Sequence, residues 1–337
     1  MATSDFSVAV VGPTGLAGRE VVRELQNRRI AVGSLRLFGS TRTAGAQFVD
    51  AEVRRPIELL QTNALRENDL VIFAAGRAIA DQYARATAAD DTWVIDLSSA
   101  LRFEGDVALV VPEVNAAALG ASGARLVACP SPTTVALTVV LAPLMQQWSI
   151  RRAVGSTYQG LASAGTRAVQ SLSRQTVRLL SGAAAGRSDQ PRPMAFNCIP
   201  EIGRLDEMGV SAHERQVAAE AERVLGPGLP SLMLTAVRVP IFVGTAISLV
   251  IESDGPMSAI DVSEALRNAP GVLLHEGEDP SPTPRDVAGS PATHVGRVRE
   301  DPTVPHGVAL WIAMDSLAKG RAVNAVQITE LIARDHL

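Results

Sequence analysis

One glycine turn near the start constrains the fold of this chain more than anything else in it. Gly12-Pro13-Thr14-Gly15-Leu16-Ala17-Gly18 follows a short apolar run, residues 7–11, and precedes residues 16–29, where Leu16, Val21, Val22 and Leu25 recur at helical spacing. A strand, a glycine turn and a helix in that order predict the first βα unit of a parallel sheet. There the glycines let backbone approach a pyrophosphate, and the helix N-terminus supplies N–H donors. Glycines punctuate other βα turns too, so the placement at a first strand carries the reading. Apolar runs at 34–38, 70–74 and 92–96, with a helical stretch at 78–90, extend the pattern to a doubly wound α/β sheet.

The end of the second run selects the dinucleotide. Folds that bind NAD usually place a carboxylate there for the ribose hydroxyls. This chain has Gly39-Ser40-Thr41-Arg42-Thr43 instead, a guanidinium among hydroxyls, which suits the 2′-phosphate of NADP. After about residue 130 the pattern changes. A long apolar helix at 133–148 leads to strand-like runs at 153–158, 232–239, 246–252 and 308–314, which predict an α+β second domain. Loops rich in Gly, Pro and polar residues at 181–193 and 279–291 are candidates for mobile segments. An amphipathic closing stretch, 322–333, is expected to return to the first domain.

Composition narrows the function classes. A length of 337 residues favours two domains, and 47% hydrophobic with 20% charged residues is globular composition. The net charge of −4 offers no basic field for nucleic acid. No apolar run is long enough to span a bilayer, and residues 1–6 do not resemble a signal peptide. Two cysteines, Cys129 and Cys198, make no disulfide framework, and a reduced cytoplasmic protein is expected. Cysteine and histidine spacing shows no metal site. Of 31 basic residues only Lys319 is a lysine, so lysine chemistry is nearly absent.

Several stretches resemble bacterial aspartate-semialdehyde dehydrogenases: 8–18, 35–45, 95–102 (Ile-Asp-Leu-Ser-Ser-Ala-Leu-Arg), 110–115, 157–165, 196–202, 238–244 and 319–327. The resemblance implies an NADP domain over 1–130, with 320–337 packing back on it, and a substrate and dimerisation domain over 131–319. It implies a homodimer, and cofactor contacts from Gly12, Thr14, Gly15, Leu16, Gly18, Ser40, Arg42, Thr43 and Asn324. It also supplies the reaction: a cysteine thiolate attacks an aldehyde, hydride passes to NADP, phosphate cleaves the thioester, and a histidine is acid and base. Arg102 matches the family's phosphate-site arginine, Gln159 its active-site glutamine and Arg238 its substrate-carboxylate arginine.

The reactive positions do not match. Relatives read Asn-Pro-Asn-Cys-Ser/Thr-Thr where this chain reads Cys129-Pro130-Ser131-Pro132-Thr133-Thr134, so Pro132 stands at the nucleophile. Thr245 follows the Arg238–Gly244 motif where the histidine belongs. A gap-free alignment puts His213 and Gln216 at the family's substrate-binding glutamate and lysine. This pattern resembles the Usg-type homologues, and the expected role is dinucleotide binding without the parent acyl-transfer activity. The alternative is an active oxidoreductase, using Cys129 as nucleophile or a hydride transfer with no covalent intermediate. Cys129 is expected to be structural, at a strand end. Cys198 is expected in the core, and His294 and His306 in satisfied structural roles.

Overall fold

A computed structural model describes residues 6–28, 32–50, 53–88, 91–121, 123, 125–186, 188, 192–278 and 281–337. The contacts divide the chain into two units, Met1–Ser131 with Arg321–Leu337, and Pro132–Gly320.

The first unit is built on an eight-stranded sheet. Its elements are β1 (Phe6–Val11), α1 (Leu16–Asn27), β2 (Val32–Gly39), β3 (Gln47–Asp50), β4 (Val53–Leu59), α2 (Thr62–Arg66), β5 (Leu70–Phe73), α3 (Arg77–Thr87), β6 (Trp93–Asp96), β7 (Ala108–Leu109), α4 (Pro112–Asn115) and β8 (Leu126–Ala128). The spatial order is β3-β4-β2-β1-β5-β6-β8-β7, and every pairing except β3 with β4 is parallel. The central strands read Ala9-Val10-Val11, Leu70–Phe73 and Trp93–Asp96 because both faces are covered, so every residue in these runs is buried. Val21, Val22 and Leu25 of α1 enter one core with Val8, Val10, Leu35 and Leu37. Ala325, Val326, Ile328 and Ile332 of the C-terminal helix, Asn324–Asp335, join the same core. β2 and β5 flank β1 on opposite sides, so the strand order reverses at β1, the place where open α/β sheets take ligands at the carboxyl ends of their strands.

The second unit holds α5 (Pro132–Met145), β9 (Ile150–Gln159), α6 (Thr166–Leu180), α7 (Ala212–Leu225), β10 (Ser231–Arg238), β11 (Thr245–Ser253), α8 (Ala259–Arg267), β12 (Val272–Leu274), β13 (Thr293–Asp301) and β14 (Gly307–Met314). Its six-stranded sheet runs β10-β9-β11-β14-β13-β12, with parallel pairs at both edges and antiparallel pairs within. α5 is apolar almost all round because it lies between this sheet and helices α7 and α8. It ends at Met145, short of the expected 148, and holds Pro143 in its last turn, where the missing N–H removes one intrahelical bond.

Two expectations need correction. Cys198 is exposed, not in the core. Met194 and Ala195 face inward, but Phe196 adopts φ +57 and reverses the chain, so Phe196, Asn197 and Cys198 point out before Ile199 returns. The segment 281–291 is also tied down where mobility was expected. Trp311 Nε1 donates to Pro282 O at 2.7 Å, Gly289 N donates to Asp315 Oδ2 at 2.8 Å, and Val287 is buried. Its prolines and Asp286 build turns there. Residues 1–5, 29, 89–90, 187, 189–191 and 279–280, on which parts of other expectations fall, lie outside the described residues. Among the described residues no helix is long and apolar enough to cross a membrane.

Candidate functional site

In the first unit the site begins at the turn after β1. Gly12 has φ +81, a conformation glycine adopts without strain, and its N–H donates to Phe38 O at 2.9 Å. A Cβ on Gly18 would lie 2.1 Å from Gly12 O, so helix and turn close on each other only because residue 18 has no side chain. Gly15 differs. A Cβ there would stand 3.5 Å from Gly12 O and 3.9 Å from Ala74 O among the described residues, ordinary contact distances, so this glycine is not forced by crowding. Gly15 is the N-cap of α1, no side chain caps the helix, and no acidic residue lies in its first turn. The N–H groups and the positive end of the helix dipole are left for an anion. The neighbouring turn adds a second helix without a side-chain cap, α3, whose N-cap Gly76 has no atom of the described residues within 4 Å of where a Cβ would stand. Sequence reading passed over Gly76, although its place after β5 was the available signal.

Arg42 is exposed and makes no hydrogen bond or ion pair among the described residues, unlike Arg36, which grips Glu58 and Glu67. Thr43 Oγ1 donates to Ser40 O at 3.3 Å and lies 2.2 Å from where a Cβ on Gly39 would be. A carboxylate at position 39 would therefore displace the Thr43 side chain. Thr14 is exposed and Leu16 half-buried at the mouth of the glycine turn.

Deeper in this unit lies a polar cluster. Asp96, fully buried at the end of β6, accepts from Ser98 N, Ser98 Oγ and Leu101 N, and so shapes the segment that carries Arg102. Burial pushes its carboxyl up, against those bonds and the Arg102 charge. Arg102 Nη2 and Arg321 Nη1 both donate to Leu97 O. Cys129 follows β8 and is buried. Desolvation pushes its thiol up to about 12, and the Asn324 side chain beside it offsets this only in part. Asn324 is fully buried. Its Nδ2 donates to Val110 O at 3.0 Å, and its Oδ1 has no hydrogen-bond partner among the described residues. An orphan amide oxygen of this kind suits a ligand amide, but as placed it offers no surface to one.

In the second unit the matched residues fall on one row of the sheet. Arg238 on β10 pairs in register with Gln159 on β9, and Gln159 pairs with Thr245 on β11, which pairs with Met314 on β14. Side chains so related are neighbours. Arg238 is 7% exposed, and its Nη1 donates to Gly160 O and Ser163 Oγ. No carboxylate accompanies it among the described residues, and desolvation brings the guanidinium down to about 10. A buried cation with unused donors fits a carboxylate ligand. Gln159 Nε2 donates to Thr157 Oγ1, and the Thr245 hydroxyl makes no hydrogen bond among the described residues. Pro132 is the first residue of α5, where a missing N–H is tolerated. It lies flush on Gly320, at which a Cβ would sit 2.6 Å from Pro132 Cβ and 2.9 Å from Met314 Cε. The helix start thus meets the end of the row. Along α7, His213 Nε2 lies 3.4 Å from Thr133 Oγ1, while Gln216 and Thr134 both donate to the buried Glu220 at 2.6 Å. No group of three or more His, Cys, Asp or Glu is placed to hold a metal among the described residues.

A glycine-turned parallel sheet joined to a mixed-sheet unit defines a two-domain nicotinamide-dinucleotide-binding protein. Family models agree: residues 7–122 match the semialdehyde dehydrogenase NAD binding domain, and residues 141–319 the semialdehyde dehydrogenase dimerisation domain. Aspartate-semialdehyde dehydrogenase of Shewanella violacea is 33% identical, with 99% of each chain covered. The crystal structure of aspartate-semialdehyde dehydrogenase II from Vibrio cholerae has TM-score 0.94 at 32% identity, covering 99% of this chain and 100% of that one. The Candida albicans enzyme, solved with NADP, has TM-score 0.72 at 18% identity, covering 98% and 100%, and speaks for the fold. The chain belongs to the aspartate-semialdehyde dehydrogenase family.

Proposed function

We propose that this protein is a Usg-type member of the family that binds NADP and does not carry out phosphate-dependent oxidation of a semialdehyde. The observation that carries this reading is Pro132. At the family's nucleophile position it supplies neither a thiol nor a backbone N–H, and it lies close against Gly320, where a Cβ would sit 2.6 Å from its own. Thr245, at the position of the histidine, has a hydroxyl that titrates far outside the neutral range and is no base. Cys129 is no replacement, because its buried thiol stays protonated. Arg102, Gln159 and Arg238 support retained recognition of small anions. In this reading the α1 N-terminus would hold the pyrophosphate of NADP, and Arg42 with Ser40 and Thr43 its 2′-phosphate; the group would bring hydride chemistry that Pro132 and Thr245 leave unused. A turnover assay with aspartate semialdehyde, NADP and phosphate tests the inactive half, and no reduced cofactor is expected.

The cofactor half is tested by titration. Arg42→Ala is expected to weaken NADP by on the order of tenfold or more, the loss of one charge-assisted phosphate contact, and to leave NAD unchanged. Isothermal titration with both dinucleotides reads this. Equal affinity of the unaltered protein for NADP and NAD would remove the proposal.

We also propose a homodimer through the second unit. One sheet face is covered by α5, α7 and α8. On the other, Val154, Ser156, Met233, Thr235, Ser248 and Val250 surround a shallow depression, with Met233 65% exposed. An open sheet face that carries an exposed methionine is a natural partner surface. Light scattering at micromolar concentration is expected to give twice the chain mass, and Met233→Arg the single mass. A monomer for the unaltered protein would contradict it.

A further inference from the structure

The second unit carries a further cluster that none of the matched residues belongs to. His275, just after β12, and His294, on β13, meet through Nε2 and Nδ1 at 2.9 Å, and His294 Nε2 lies 2.6 Å from Ser290 Oγ. A neutral imidazole donates from one nitrogen and accepts at the other, so this chain fixes both rings. His275 also lines a cavity of 330 Å³ with Ser263, Glu276, Ser281 and Arg297. That volume is at the small end for ligand pockets and admits a compact metabolite, not a dinucleotide.

The backbone around the cavity is specialised. The pairing of β13 with β14 shifts register between Gly296 and Arg299, and at that bulge Arg297 takes φ +54. A left-handed arginine is strained, and bulges commonly re-aim a side chain toward a site. Gly296 permits the close wall: a Cβ there would be 2.8 Å from Pro282 Cδ and 3.5 Å from His275 Cβ. Charge follows the same pattern. Arg297 makes no side-chain hydrogen bond or ion pair among the described residues. Glu276, a carboxylate of the lining, is taken by Arg267 of α8 through bonds of 2.9–3.1 Å. The lining otherwise holds the exposed guanidinium of Arg297, the ring of His275, already paired with His294, and two hydroxyls.

We propose that this cavity binds a small phosphate-bearing anion, with Arg297 as its main charged donor and His275 beside it. The site is separate from the NADP reading and stands or falls independently. Its occupant would act on the segment 281–291, since Ser290 adjoins Gly289, which is held by Asp315. Asp315 Oδ1 in turn accepts from Leu317 and Ala318, at the start of the turn that places Gly320 against Pro132.

The test follows the C2–H proton resonance of His275 by NMR in the intact protein. With five histidines in the chain, His275→Gln assigns the signal. Inorganic phosphate and, separately, glycerol 3-phosphate are titrated at constant ionic strength and pH into the unaltered protein and Arg297→Gly. Glycine at 297 removes the charge and relieves the strain, so the fold is retained. A saturable shift of His275 is expected, with affinity lowered about tenfold or more in Arg297→Gly. Tighter binding of the ester would identify a phosphorylated metabolite, and tighter binding of inorganic phosphate the free ion. No saturable shift with either ligand, or equal titrations in both proteins, would overturn the proposal.

Discussion

A thiol reagent added to the native protein at neutral pH is expected to label Cys198 quickly and Cys129 hardly at all. Cys198 is exposed, and Cys129 is buried with its thiol pushed up to about 12. The causes, in order, are desolvation, opposed by the Asn324 side chain, and then the charge of Asp96, opposed by Arg102 and Arg321. Against an ordinary thiol near 9 this lowers the thiolate population at pH 7 by roughly a thousandfold, before exclusion of the reagent is counted. The sign is checkable. A thiol raised in the folded state gains no stability below about pH 9 and costs stability as pH rises from there toward 12, where the unfolded chain ionises first. Stopped-flow labelling should therefore show one fast equivalent, with the second appearing only on denaturation. Two fast equivalents, with Cys198→Ser leaving one of them, would mean an accessible, activated Cys129. The alternative reading of a relocated nucleophile would then gain its main support.

The larger expected effect is on turnover. In enzymes whose nucleophile and base act as a unit, removing either costs on the order of 10⁴ to 10⁶ in rate, and removing both adds little more. Here neither Pro132 nor Thr245 has the needed group. The hydroxyls of Thr133 and Thr134 are already engaged with His213 and with Glu220. Restoring both groups, by Pro132→Cys with Thr245→His, asks different things of the two positions: cysteine is smaller than the proline that lies against Gly320 and regains the N–H of the first helical turn. Thr245 is 2% exposed, so a histidine there has to displace neighbours on the row it shares with Gln159 and Met314. The double variant is accordingly expected to recover only a small part of a family enzyme's rate.

The first unit was largely legible in the sequence because its signals are local. Apolar runs such as 70–73 and 93–96 follow from burial on both faces, and the glycine turn from backbone that only residue 18 without a side chain allows. β3 and β4 were not legible. Gln47–Asp50 alternates with exposed residues, and β4 contains Pro56, at which the strand passes from its pairing with β3 to its pairing with β2. α6 and α8 escaped notice for a different reason. Their polar faces interrupt the apolar pattern, and a window sees loop where a helix is half-solvated. β13 hides its strand behind a bulge and a charged end, Arg297 to Asp301. The row Arg238, Gln159 and Thr245 spans 86 positions of sequence and exists only through strand pairing. Resemblance named its members, but only the register brings them together. Cys198 misled because one left-handed residue, Phe196, turns an apolar-looking segment outward.

The central claim, that the fold binds NADP while its reactive positions have lost the chemistry, meets its most direct test in one single-turnover experiment. Protein in excess over aspartate semialdehyde, with saturating NADP and phosphate, is followed by absorbance of the reduced cofactor. The account predicts no burst and no steady rise above a protein-free control, in a sample shown by titration to bind NADP. A stoichiometric burst that survives in Cys198→Ser and disappears in Cys129→Ser, with folding unchanged, would contradict it.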